Sequence, residues 1–131
     1  MKFAIVLICA ALAAAEPDWK AVEAQSIDIF QRYLRIPSMN PPANTRAAAE
    51  LFQKELAAVG IPAKLYDAGP NGQVNLIARL EGKNRSKKPL LLMNHFDVVP
   101  VDRAAWSIDP FAGIVKDGYV WGRGTRSEEH T

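Results

Sequence analysis

Four consecutive apolar residues, Leu90-Leu91-Leu92-Met93, follow Pro89 and run directly into Asn94-His95-Phe96-Asp97-Val98-Val99-Pro100. A strand with one face in water alternates apolar and polar side chains. An unbroken apolar run is instead the pattern of a strand covered on both faces. It predicts a central strand of an α/β sheet, with Val74, Leu76 and Ile77 in a neighbouring one. In open sheets of that kind, ligand sites gather at the carboxyl ends of the strands. His95 and Asp97 stand at such an end, and their spacing of two sends both side chains to the same face. A neutral imidazole is a good zinc ligand. A carboxylate two residues on can accept the other ring N–H and fix the tautomer. A His-x-Asp pair by itself is more often a strand-end histidine satisfied by a local hydrogen bond, so both readings stand on these residues alone.

The segments before this run read as an ordinary alternation of elements. Asp18 can cap a helix from Trp19 towards Arg35, with Trp19, Val22, Ile27, Phe30 and Leu34 near helical spacing. Pro37, Pro41 and Pro42 break the chain into a loop. Thr45 is placed to cap a second helix carrying Leu51, Leu56 and Val59 as apolar contacts. Gly60 stops that helix and Pro62 prevents its continuation. Residues 63–68 and 74–80 read as strands around a Gly69-Pro70-Asn71-Gly72 turn. Residues 82–88 read as a solvated basic loop.

Two counts exclude whole classes of function. One cysteine, Cys9, rules out an internal disulfide framework and any multi-cysteine zinc or iron–sulfur site. A formal net charge of +2 gives no reason to expect nucleic acid or an anionic membrane as partner. At the start, Met1-Lys2, the apolar stretch from Phe3 to Leu12 and Ala13-Ala14-Ala15 form the pattern of a secretory signal peptide over residues 1–15, with cleavage before Glu16. The apolar stretch is too short to span a bilayer, so no stable membrane anchor is expected. Secretion or a periplasmic location follows from that leader. Its removal would also take Cys9, leaving a mature chain suited to an oxidising compartment.

An ordered series follows the His-x-Asp segment: Trp106, Asp109-Pro110-Phe111, Lys116-Asp117-Gly118-Tyr119-Val120 and Gly122-Arg123-Gly124-Thr125. Each piece alone is a turn former, a hairpin signal or a glycine loop. Taken together, the series resembles the zinc metallopeptidase family of aminoacylase-1, acetylornithine deacetylase, succinyl-diaminopimelate desuccinylase and several carboxypeptidases and dipeptidases. The likeness covers Trp19 to Thr125, and its specific motifs lie in residues 90–125.

The resemblance implies an α/β fold: part of a three-layer αβα catalytic domain holding two zinc ions, cut before a lid or dimerisation domain. It makes His95 a metal ligand and Asp97 the active-site aspartate that orients it. It implies amide hydrolysis by a metal-activated water, with a glutamate as general base. The substrate would be a small peptide or an N-acyl amino acid, and the intact protein could be a homodimer. Export favours a carboxypeptidase or dipeptidase, with an N-acyl-amino-acid deacylase on the same scaffold as the alternative. A non-catalytic secreted α/β binding module, with His95 and Asp97 structural, is the reading from another class.

The family's bridging aspartate falls at Ser127, a poor substitute for a carboxylate. Arg126-Ser127-Glu128-Glu129-His130-Thr131 also translates, codon by codon, the start of a common sequencing-library adaptor, AGATCGGAAGAGCACACG. Residues 126–131 are therefore read as an adaptor scar, and Glu128, Glu129 and His130 are set aside as candidates. The expected division is leader 1–15, part of a catalytic domain 16–125, and scar 126–131. A fragment of this kind is expected to be inactive.

Overall fold

Asp18 begins the first helix as its position predicts: its carboxylate accepts from the backbone N–H groups of Lys20 and Ala21, both at 3.1 Å. Two of the donors left unpaired at a helix start are thereby satisfied. In the computed structural model, residues 16–126 are described. The leader read over residues 1–15 and the adaptor-like stretch from Ser127 onward lie outside the described residues. Helix α1 spans Trp19–Leu34. Its apolar stripe is used unevenly, because Trp19 and Val22 are exposed while Leu34 is 3% exposed. Burial grows along α1: residues 19–26 are exposed, Ile27 and Phe30 are half-buried, and Leu34 in the last turn is buried.

Helix α2 spans Arg46–Ala58. Its end follows from Gly60, which takes φ +74°. That left-handed residue lets Ile61 N–H reach Leu56 C=O at 2.9 Å and Gly60 N–H reach Ala57 C=O at 3.0 Å. These two bonds form a Schellman stop. Val59, expected among the apolar contacts, is instead exposed, because it lies past the last helical residue.

Thr45 holds the cap position of α2, but its side chain makes no cap hydrogen bond. Its hydroxyl accepts from Val74 N–H at 3.1 Å and lies 3.4 Å from Val74 C=O. The residue is spent tying the helix start to a strand. That strand, β2 (Val74–Ala78), pairs antiparallel with β1 (Ala63–Asp67), in register from Ala63 opposite Ala78 to Asp67 opposite Val74. Helix α2 lies against both strands, and Gln53 donates to Ala63 C=O at 3.0 Å. Ala48, Ala49 and Val74 are buried where helix and hairpin meet.

A second antiparallel hairpin is formed by β3 (Ile114–Lys116) and β4 (Tyr119–Trp121). Its turn residues Asp117 and Gly118 have φ of +54° and +78°. Two positive values are what a two-residue hairpin turn matched to strand twist requires. The base of this hairpin docks on the end of α1. Gln31 donates to Gly113 C=O at 2.8 Å, and a Cβ on Gly113 would sit 2.6 Å from Gln31 C=O. Among the described residues no helix is long and apolar enough to cross a membrane.

The chain is therefore mixed α/β, as the residue pattern predicts, but one element departs from expectation. Residues 90–93 form no strand, and Leu90, Leu91, Leu92 and Met93 are 79–87% exposed. Strand β2 forms where Val74, Leu76 and Ile77 were expected to, yet its hydrogen-bonded neighbour is β1. An apolar run specifies that it needs cover; it supplies neither the ladder nor the layers. Among the described residues nothing pairs with this segment, so its side chains stay in water.

The Thr45–Val74 tie is the testable centre of the α2–hairpin unit. Thr45→Ala leaves the buried Val74 N–H without a partner and should destabilise the fold by about 1–3 kcal/mol. Thr45→Ser, which keeps the hydroxyl, should recover most of the loss. Urea unfolding of the three proteins measures both effects.

Candidate active site

Phe96 sits between the two candidate residues and is the most firmly held point of the segment. Its carbonyl accepts from the Tyr33 phenol and from the Ser38 hydroxyl, each at 2.7 Å. Its ring stacks on Phe52 of α2 at 5.7 Å between centroids, and Phe52 meets Tyr33 at 5.3 Å. Burial pushes the Tyr33 phenol above its ordinary pKa, which keeps it a neutral donor. The loop after α1 adds a short parallel bridge. Val98 N–H donates to Ser38 C=O at 3.0 Å, and Asn40 N–H donates to Val98 C=O at 2.8 Å.

With Phe96 turned towards Phe52, its neighbours His95 and Asp97 leave on the other side, as a period of two requires. They meet there: His95 Nδ1 lies 3.0 Å from Asp97 Oδ1 and 2.9 Å from the Asp97 carbonyl oxygen. Both partners are acceptors, so Nδ1 carries the proton and the lone pair of a neutral ring is on Nε2. The imidazole is mostly exposed, and Asp97 is 29% exposed at its side chain. The second Asp97 oxygen, Oδ2, accepts from Asn40 Nδ2 at 2.8 Å. That amide is the main reason the Asp97 pKa lies below the ordinary aspartate range. Partial burial opposes the shift, and a backbone N–H and His95 reinforce it.

The glycine motif closes the other side. Arg123 N–H donates to the carbonyl of fully buried Pro110 at 2.7 Å, and Thr125 hydroxyl donates to Gly122 C=O at 3.0 Å. Gly124, at φ +91°, approaches Val98 so closely that a Cβ would lie 3.0 Å from its side chain. An open cleft of about 850 Å³ results, with His95, Asp97, Asn40, Arg123 and Thr125 among its lining residues. The two sequence motifs thus face one space.

One imidazole and one carboxylate do not make a metal site. Among the described residues no group of three or more His, Cys, Asp or Glu side chains is placed to hold an ion. His95 with Asp97 fits one ligand and its orienting partner, and the described residues alone do not hold zinc. Ser127 and His130 lie outside them. Asn40, Ser38 and Tyr33 were not singled out in the sequence. They stand more than 55 positions from the groups they bind, and no periodicity links positions that far apart.

Residues 91–128 match the family described as Peptidase family M20/M25/M40. That stretch contains the His-x-Asp pair and the glycine motif whose geometry is given above. The chain's homologues are hydrolases of this family. It is 34% identical to aminoacylase-1 of Sus scrofa over 105 residues, 79% of this chain and 26% of that protein. It is 39% identical to a succinyl-diaminopimelate desuccinylase of Cereibacter sphaeroides over 92 residues, 70% of this chain and 23% of the relative. A human N-fatty-acyl-amino acid synthase/hydrolase is 42% identical over 52 residues, 40% of this chain and 10% of its own. The chain spans about a quarter of the length of the aminoacylases it matches. Its helices and small antiparallel sheets are consistent with part of an M20 catalytic domain.

The Asn40 contact gives a pH prediction. A depressed folded pKa means that ionised Asp97 stabilises the fold fully above its unfolded pKa. That contribution is lost as pH falls through the lower folded value. Asn40→Ala should raise the Asp97 pKa towards the ordinary range, so the loss begins at higher pH. Carboxyl carbon NMR titration of Asp97 in the two proteins reads the shift directly.

Proposed function

We propose that the intact protein hydrolyses the amide bond of N-acyl amino acids, with zinc as its cofactor. His95 is a direct metal ligand in this reading, and Asp97 is the carboxylate that orients it. The observation that carries it is the His95 Nδ1–Asp97 Oδ1 hydrogen bond at 3.0 Å, on the lip of a cleft within a segment matching the M20/M25/M40 family. The bond does three things in this chain. It selects the tautomer, leaves the Nε2 lone pair free for a metal, and fixes the ring's orientation. Asn40 keeps Asp97 ionised for the task. A zinc ion held by His95 and further donors would polarise the scissile carbonyl.

Two features support the choice of substrate. Three relatives carry names for acyl-amide chemistry: an aminoacylase, a desuccinylase and an N-fatty-acyl-amino acid synthase/hydrolase. Small peptides contain the same bond, and a peptidase activity of carboxypeptidase or dipeptidase type is the neighbouring outcome. The leader pattern of residues 1–15 supports an exported protein. The 131-residue chain itself, with one oriented ligand, is proposed to be inactive.

The test compares two proteins in the presence of zinc, using N-acetyl amino acids and dipeptides. The 131-residue chain should turn over neither. The product of the gene read cleanly across Thr125 should be active on N-acetyl amino acids. His95→Ala should abolish that activity, and Asp97→Asn should lower metal affinity or activity about 10- to 100-fold. Metal-dependent turnover by the 131-residue chain, lost on His95→Ala, would overturn the inactivity. Absence of turnover by the longer product would overturn the function.

Export has a separate readout. Expressed from its natural start, the protein should be recovered outside the cytoplasm with Glu16 as its first residue. Amino-terminal sequencing of exported material that still begins at Met1 would refute the leader.

A further inference from the structure

The loop after β2 carries a short motif that the cleft does not use. Asn84-Arg85-Ser86 has an asparagine, then a residue other than proline, then a hydroxyl two positions on. That is the acceptor pattern for an N-linked glycan. The other asparagines lack it. Asn40 is followed by Pro41-Pro42, Asn44 by Thr45-Arg46, Asn71 by Gly72-Gln73, Asn75 by Leu76-Ile77 and Asn94 by His95-Phe96. Three residues recur by chance in many chains, so placement decides whether such a motif can be used.

This one is placed where it can be used. Every residue from 79 to 90 is exposed. A Cβ on Gly82, two positions before the asparagine, would meet nothing within 4 Å. Lys87 N–H donates to Asn84 C=O at 3.3 Å, which closes a turn over residues 84–87. Inside that turn Asn84 Oδ1 accepts from Ser86 N–H at 3.0 Å and from the Ser86 hydroxyl at 2.7 Å. The amide and the hydroxyl of the motif are therefore already in contact. Both bonds end on the amide oxygen. Asn84 Nδ2 has no acceptor among the described residues, so a substituent on it breaks no contact of the fold. An oligosaccharide is bulky and polar and has to stay in water. No residue of this loop lines the cleft beside His95, so bulk added here leaves that cleft open.

We propose that Asn84 is an N-glycosylation site, taking an oligosaccharide from a polyprenyl-diphosphate-linked donor. The site goes beyond the amide chemistry and rests on the proposed export, because transferases of that class act on chains entering a secretory compartment. In the transfer, Asn84 Nδ2 forms a bond to the anomeric carbon of the first sugar. The bond from that carbon to the diphosphate oxygen breaks, and its electron pair leaves with the polyprenyl diphosphate. One Nδ2 proton is released. The leader of residues 1–15 and the motif at residues 84–86 are separate signals, and the first delivers the chain to the place where the second is read.

The experiment is cell-free translation of the 131-residue chain with microsomes of the endoplasmic reticulum. One version keeps its natural start, and a second has residues 1–15 replaced by a leader of proven export. Protection from added protease identifies translocated chain. That chain should migrate as a larger species, and an endoglycosidase should collapse it to the size of unmodified chain. Enzymatic release of the glycan leaves a carboxylate at the acceptor, which peptide mass spectrometry should locate at position 84. Asn84→Gln and Ser86→Ala should each abolish the larger species. Ser86→Thr, which keeps the hydroxyl, should retain it, and so should Asn71→Gln, which changes an asparagine outside the motif.

Translocated chain behind the proven leader with no endoglycosidase-sensitive species would overturn the site. So would a larger species that persists in Asn84→Gln. Transfer is read by size, so none of the variants has to fold. The two signals fail separately. Natural-start chain left outside the microsomes, with the proven-leader version glycosylated, sinks the export and keeps the acceptor. Natural-start chain translocated but unmodified does the reverse.

Discussion

The carbonyl of Phe96 is where the two halves of this molecule are joined. Tyr33 from α1 and Ser38 from the loop after it both donate to that oxygen at 2.7 Å. The half-buried Phe96 ring stacks on Phe52 of α2. A single residue is thereby fixed by backbone polarity on one side and by aromatic packing on the other. Everything proposed for the site follows from this. Because Phe96 cannot turn, His95 and Asp97 must project to the opposite side, and Asp97 arrives where Asn40 can reach it. The carboxylate then holds the imidazole.

This arrangement explains how a site can be ordered when the strand leading into it is not formed. Residues 90–93 lack a ladder, yet residues 96–98 are bonded into the loop of residues 38–40. Orientation of the histidine depends on contacts made after it in the chain, not before. The same division separates orientation from metal capacity. A hydrogen bond of 3.0 Å can prepare one ligand completely, but holding zinc takes at least three protein donors. The described residues supply the preparation without the number.

Local signals were legible in the sequence, and long-range ones were not. Asp18, Gly60 and Asp117-Gly118 act through neighbours within five residues, so their chemistry could be read from composition and order. His95 and Asp97 were visible because their partnership spans only two positions. Thr45 shows the boundary. Its place at a helix start was readable, but its hydroxyl goes to Val74, 29 residues away. The run of residues 90–93 shows the boundary from the other side. Its pattern states a requirement for burial, and a pattern cannot state whether partners are at hand. Asn40 left no trace at all, since an asparagine before two prolines reads as a turn, whatever carboxylate it finds in space.

The electrostatics of the cleft follow from the same geometry. Asn40 and His95 occupy the two oxygens of Asp97, so the negative charge that lines the cleft is turned inward and committed. With both Asp97 oxygens committed, the ring nitrogen of His95 left without a partner is Nε2, and that is the atom the proposed metal role requires.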